Sequence, residues 1–161
     1  MSRAYADGGE PPPLAGHAAA LVVYGGYAGA WASAVRLRGR PLPERPHPWD
    51  LALTAVATFR LSRLLSKGSV TSPLRAPFTE YRGPQGPAEL HEEPRGGARH
   101  TVGELLTCPF CMSVWTVTTL TGAGLLWPRA TRTATGALTA LAVADSLQLA
   151  YSALCEKVTG D

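Results

Sequence analysis

The segment Thr107-Cys108-Pro109-Phe110-Cys111 is the most specific local feature of the chain. Two thiols three residues apart in a first helical turn can approach disulfide distance. Cys108 stands where a helix N-cap would stand, and Pro109 is favoured at the first helical position. The partial positive charge of a helix N-terminus stabilises a thiolate. The tetrapeptide is therefore of the kind that thiol–disulfide oxidoreductases use. Thioredoxin-like pairs, however, follow a strand in a βαβ unit, whereas this one follows a polar segment and opens an apolar run. Four-helix membrane enzymes that pass electrons from a cysteine pair to a quinone need a second pair for exchange, and Cys155 stands alone. A metal reading is also open. Cys108, Cys111, His91 and His100 supply the four ligands that zinc takes, but at a spacing of no compact zinc motif. In the third reading both cysteines are structural thiols at a helix entry.

The second constellation is charge placed where charge is expensive. Arg60 and Arg63 are three residues apart and so share a helix face. Asp145 sits at the centre of a long apolar run, where a lone carboxylate costs ~2.5–3.5 kcal/mol on membrane-insertion scales. An arginine from another helix, or protonation, relieves that cost. Asp145 is accordingly expected to face the helix bundle and to pair with Arg60 or Arg63. The alternative is that both arginines snorkel to a headgroup layer.

The elements that must position these groups follow from where the charge lies. The chain has 161 residues, with hydrophobic residues at 45% and charged ones at 17%. That is too apolar for disorder and too poor in charge for an ordinary soluble domain. The net charge of +3 is too mild to suggest nucleic acid. Of the charged side chains, only Asp50, Arg60, Arg63 and Asp145 fall inside four apolar stretches. Segregation along the chain rather than around a helix marks a membrane protein. The stretches are 14–35, 49–66, 108–127 and 134–155. All four read as helices, because lipid-facing backbone must satisfy its own hydrogen bonds. Ala32-Ser33-Ala34 resembles a signal-peptide cleavage site, but the first stretch is long and Asp7 and Glu10 cancel its positive start.

The expected fold is thus all-α, a small polytopic transmembrane bundle of about four helices. Residues 1–13 form a flexible tail and 36–48 a basic, proline-rich linker. Residues 49–155 form the membrane domain, and 156–161 a second tail. Within that domain, 67–107 is a long polar loop between the second and third helices. Its Glu89-Leu90-His91-Glu92-Glu93 run reads as a solvated acidic turn or short helix. The short connector from Pro128 to Thr133 makes the last two helices an antiparallel hairpin. Gly25 and Gly29, Gly26 and Ala30, and Gly136 and Ala140 repeat small residues at four-residue spacing, which suits close helix approach in lipid. Trp31, Trp49 and Trp127, and less so Trp115, fall toward helix ends, as interfacial anchors do. The partners implied are the lipid bilayer and, through the small-residue faces, a second copy or another membrane protein. The expected location is the cell membrane, in a multi-pass arrangement.

Three separated blocks carry a family resemblance: Phe59-Arg60-Leu61-Ser62-Arg63-Leu64-Leu65, then Thr71-Ser72-Pro73-Leu74-Arg75-Ala76-Pro77-Phe78, then Gly103-Glu104-Leu105-Leu106-Thr107-Cys108-Pro109-Phe110-Cys111 with Trp115. In this order they resemble a domain-of-unknown-function family of small bacterial integral membrane proteins, one of whose members is associated with sporulation. The resemblance runs from about Trp49 to about Tyr151. It implies a membrane location and a C-x-x-C at a helix entry, and no reaction. It narrows the candidate site to Arg60, Arg63, Arg75, Glu104, Cys108, Cys111 and Asp145. Pro73 and Pro77 stiffen the loop that bears Arg75, which could then bind a carboxylate such as Glu104 or a lipid phosphate. The leading functional expectation is a non-enzymatic structural or partner-binding membrane module with no cofactor. A membrane thiol oxidoreductase using a quinone is the alternative, and a small channel or transporter with Asp145 and the arginines along its path is a further one.

Overall fold

The computed structural model describes residues 14–160. The tail expected at 1–13 lies outside the described residues. Six α-helices and one two-stranded antiparallel sheet are present among them: α1 (Leu14–Leu37), α2 (Pro48–Lys67), α3 (Ser72–Arg75), β1 (Thr79–Gly86), β2 (Glu89–Pro94), α4 (His100–Thr107), α5 (Pro109–Leu126) and α6 (Pro128–Thr159). Short 3-10 turns at Ser69–Thr71 and Gly97–Arg99 join the small elements. The all-α expectation with about four helices is therefore corrected. The four long helices are there, but the polar segment between α2 and α5 folds into two further helices and a hairpin.

Each long helix starts on a signal visible in its residues. Prolines stand at the first positions of α2, α5 and α6, where a missing N–H costs nothing. His47 caps α2, its Nδ1 accepting the Trp49 N–H at 3.2 Å. The α5–α6 break is confined to Trp127. The segment 128–133, expected as a connector, is instead the first turns of α6, because Pro128 opens the helix at once. At its other end α6 runs on to Thr159, through most of the expected tail.

Pairs of named contacts fix the directions. Asp50 meets Arg132, the Leu53 carbonyl accepts the Thr139 hydroxyl, and Arg60 meets Asp145. Residue numbers rise together on both helices, so α2 and α6 run parallel. Tyr24 bonds Thr118 at 2.8 Å, Tyr27 bonds Thr119 at 2.5 Å, and Trp31 packs against Gly122, so α1 and α5 also run parallel. With short reversals between them, the chain passes alternately along the bundle. The α1–α2 linker and the α5–α6 break share one end. The sheet, α3, α4 and the start of α1 share the other, here called the cap end.

Helix α2 is the central element and packs against both α5 and α6. It buries small residues, Ala57, Thr58, Ser62 and Ser66, which let its neighbours approach closely. The outer faces of α1, α5 and α6 are apolar and exposed, with Leu21, Val22, Val143, Leu147 and Leu149 among them. Three helices are long and apolar enough to cross a membrane: α1, α5 and α6.

The small-residue pattern acts differently from expectation within the chain. A Cβ on Gly25, Gly26, Gly29 or Gly136 would meet nothing within 4 Å. Close approach occurs at Gly122 instead, where a Cβ would overlap the Trp31 indole. The tryptophans also divide. Trp49 and Trp127 are exposed at the linker end. Trp115 lies between α1 and α5, with Tyr24 and Tyr27 rings each 5.2 Å away.

Candidate functional site

The cap end is built around the C-terminus of α2. A helix end leaves carbonyls without intrahelical partners, and the partial negative charge there favours a cation. Arg75 meets both needs. Its Nη1 donates to the Leu65 carbonyl and to the Thr71 hydroxyl, both at 2.7 Å, and its Nη2 donates to the Gly68 carbonyl at 2.9 Å. Thr71 Oγ1 in turn donates to the Leu64 carbonyl. The Arg75 Nε donates to Glu92 on β2, whose other oxygen accepts from Ser72 Oγ at 2.7 Å. Arg75 and Glu92 side chains are 1% and 3% exposed. A buried arginine of this kind is tolerable because its donors and its charge are met together.

Arg75 is expected to bind a carboxylate such as Glu104, or a lipid phosphate. The structure places it against Glu92, because α3 turns the guanidinium toward the end of α2 while β2 passes directly over it. Glu104 lies elsewhere on the cap, on α4, 3.0 Å from His17 Nε2 of α1. The acidic run Glu89–Glu93 is corrected as well. It is strand β2, with Glu89 bound by Arg63 through Nε at 2.9 Å and Nη2 at 2.5 Å. The strand's register sets this up: Glu80 faces Glu93 and Thr79 faces Pro94, with bulges near Gly83 and between Pro84 and Gly86. The turn at its tip is held against the 3-10 turn that follows α2 by the Ser69 N–H, which donates to the Ala88 carbonyl at 2.9 Å. Helix α4 closes the cap from the other side. Gly103 fits there because a Cβ would come within 2.5 Å of the Phe78 carbonyl oxygen and 3.0 Å of Pro94 Cα.

One level deeper, Arg60 Nε lies 2.8 Å from Asp145 Oδ2, with side chains 21% and 38% exposed. The Nε–H is buried and makes no well-aimed hydrogen bond, so this is a charge contact without the directed bonds of the Arg75 pair. Arg60 and Arg63, neighbours on one face of α2, thus diverge: the first turns to α6, the second to the hairpin.

The thiols sit where α4 passes into α5. Cys108 is the N-cap of α5, its Sγ accepting the Cys111 N–H at 3.2 Å. Both cysteines are half-buried free thiols, and Cys155 is exposed near the end of α6. The zinc set does not assemble. His91 lies on β2 with its Nε2 3.7 Å from Glu93, and His100 opens α4. Among the described residues no group of three or more His, Cys, Asp or Glu side chains is placed to hold a metal ion. The reason is topological: β2 turns His91 away on the hairpin's exposed face while Cys108 caps a different helix.

Three positions that matter were not singled out from sequence: Glu92, Gly103 and Gly122. Glu92 had a signal, an acidic residue shortly after Arg75 in a run too charged for a helix core. The two glycines carried none.

The chain is 38% identical over 69 residues to a protein of Bacillus subtilis (strain 168) named sporulation protein YjcA, covering 40% of this chain and 58% of that one. The chain thus spans less than two thirds of the length of that relative. No solved structure matches it. The family described as protein of unknown function, DUF1360, matches residues 53–151, from the first turns of α2 to the last part of α6. With more than half of its length matched, the chain belongs to the DUF1360 family.

Proposed function

We propose that the chain is a multi-pass protein of the cell membrane that works by holding a partner rather than by catalysis. The observation that carries the membrane part is the continuous apolar exposure of α1, α5 and α6. Exposed apolar surface on that scale marks contact with lipid or with another protein. Helix α2 packs one face against α5 and α6, and its Asp50, Arg60 and Arg63 each meet an opposite charge, which makes its charged residues compatible with a fourth span. The binding part is supported by the fate of the candidate charges: Arg60, Arg63, Arg75 and Glu104 each have a partner within the chain. The linker end carries Arg36 at the end of α1, Arg38, Arg40 and Arg45 in the linker, and Arg129 and Arg132 in the first turns of α6, which favours the cytoplasm for that end. The small-residue face of α1 around Gly25 and Gly29, open within the chain, suits a helix of a second copy or of another membrane protein. The likeness to a protein named for sporulation makes sporulation the process in which to seek that partner.

The deciding experiment is fractionation. The chain is expected to stay in membranes through alkaline carbonate and high salt, and to leave only with detergent. Release by carbonate would remove the membrane reading. Single-cysteine variants at Gln85 and Arg45, probed with an impermeant thiol reagent, then report which end lies outside.

A second reading is favoured by Cys108 Sγ at the N-terminus of α5. In it the two thiols are oxidised to a disulfide, and two electrons and two protons pass to an acceptor of the quinone class. Acid trapping of the thiols in membranes, with and without quinone, tests it. A pair that stays reduced in both removes it.

A further inference from the structure

A groove of about 380 Å³ lies between α1, the linker and α5. It is distinct from the cap and sits at the opposite end of the bundle. Its walls are Trp31, Val35, Val117 and Leu125, and its linker end is flanked by Arg36 and Arg40. The shape follows from two local features. The overlap of Trp31 with the open face of Gly122 brings α1 against α5 above the groove. At the end of α1 the chain reverses at Gly39, whose φ is +60°. The Gly39 N–H donates to the Arg36 carbonyl at 2.9 Å and the Arg40 N–H to the Val35 carbonyl at 3.3 Å, the two bonds of a Schellman motif. The turn brings Arg40 back beside Arg36. Among the described residues neither guanidinium lies within ion-pair distance of a carboxylate, although every arginine the cap borrows from α2 and α3 has one.

We propose that this groove binds one anionic glycerophospholipid, its phosphate on Arg36 and Arg40 and part of an acyl chain along Val35, Val117 and Leu125. Two neighbouring guanidiniums suit a phosphate, and basic pockets between membrane helices hold anionic headgroups. The volume is in the range of small-molecule sites. A second copy seated on the same face would bring like charges together, which disfavours it. The assignment rests on the membrane reading and adds a lipid class to it. The groove's α1 and linker half, with both arginines, precedes the region matched by the family, while its α5 wall lies inside that region.

The test is native mass spectrometry of the full chain released from detergent with equal amounts of dioleoyl phosphatidylglycerol and dioleoyl phosphatidylcholine. One phosphatidylglycerol is expected to be retained per chain. The double variant R36Q/R40Q should lower that preference about thirtyfold, from two lost juxtamembrane cations. R38Q/R45Q removes the same charge from linker positions outside the groove and should change it far less. Unaltered preference in R36Q/R40Q, or an equal loss in R38Q/R45Q, overturns the proposal. So does displacement of the lipid by excess glycerol 3-phosphate, which would make the site one for a free phosphate ester. A chain that resists carbonate but shows no lipid preference refutes the groove alone, whereas a chain washed off by carbonate refutes the membrane reading beneath it.

Discussion

Arg75 and Arg60 each reach a carboxylate on a distant segment, and the two surroundings could hardly differ more. Arg75 is sealed inside the cap, with carbonyls, a hydroxyl and Glu92 meeting its donors. Arg60 meets Asp145 at the flank of the bundle with its Nε–H poorly aimed. The first pair is part of how a helix end is closed: remove it and the end of α2, the 3-10 turn and β2 lose their common fastener. The second joins two helices that also pack on each other through apolar and small residues. One arginine is architectural; the other adjusts an interface that would exist without it.

The sharpest way to break this contrast is Arg75→Met. It leaves Glu92 buried without a counter-charge, and should destabilise the cap by about 3–5 kcal/mol. Denaturant unfolding in detergent measures this, and the double variant R75M/E92L should recover a large part of the loss. If R75M unfolds like the parent, the cap is not held by this pair. Gly103→Ala comes next. Its Cβ would press on the Phe78 carbonyl and Pro94, at a cost of about 1–3 kcal/mol, seen as faster hydrogen exchange in β1 and β2. Asp145→Asn should cost only about 1 kcal/mol, the scale of polar contacts between membrane helices, and should leave hairpin exchange unchanged. If instead it alters proton or ion flux in vesicles, Asp145 lines a path and the channel reading gains. Smallest of all, Arg82→Ala removes exposed contacts to Glu80 and Glu93 and should move the melting midpoint within error, since such pairs contribute about 0–1 kcal/mol.

The long helices were legible because their signal is repeated. An apolar run behind a proline at each start leaves little freedom in where α2 and α5 begin. The Asp145 expectation could be framed at all because a carboxylate in an apolar run has few remedies. The hairpin was not legible, for a physical reason. Strand β1 contains Gly83, Pro84 and Gly86, which weaken or bar strand pairing by their own preferences. It forms because β2 is anchored by Glu89 and Glu92 to arginines on other elements, a long-range condition that no local pattern announces. The same holds for Arg75. Its stiff loop was readable from Pro73 and Pro77, but the choice between Glu92 and Glu104 depends on which face of the cap each carboxylate occupies. Gly122 looked like any other small residue until an indole on α1 lay against it.

The parallel course of α2 and α6 has one more consequence. From Asp50 to Arg60 is about 15 Å along a helix, half the depth of a ~30 Å oily film. On α6, Arg132 and Glu156 bracket Asp145 near the middle of a rod about 36 Å long between them. The charged couple therefore acts as a waistline. Between it and the Asp50–Arg132 pair neither helix carries a charge; above it, beside the strands, the apolar surface is shortened by Arg63 and its glutamate. A bilayer fitted to such an uneven girdle would dimple on one flank, and film thickness itself would become a cue for where the molecule settles.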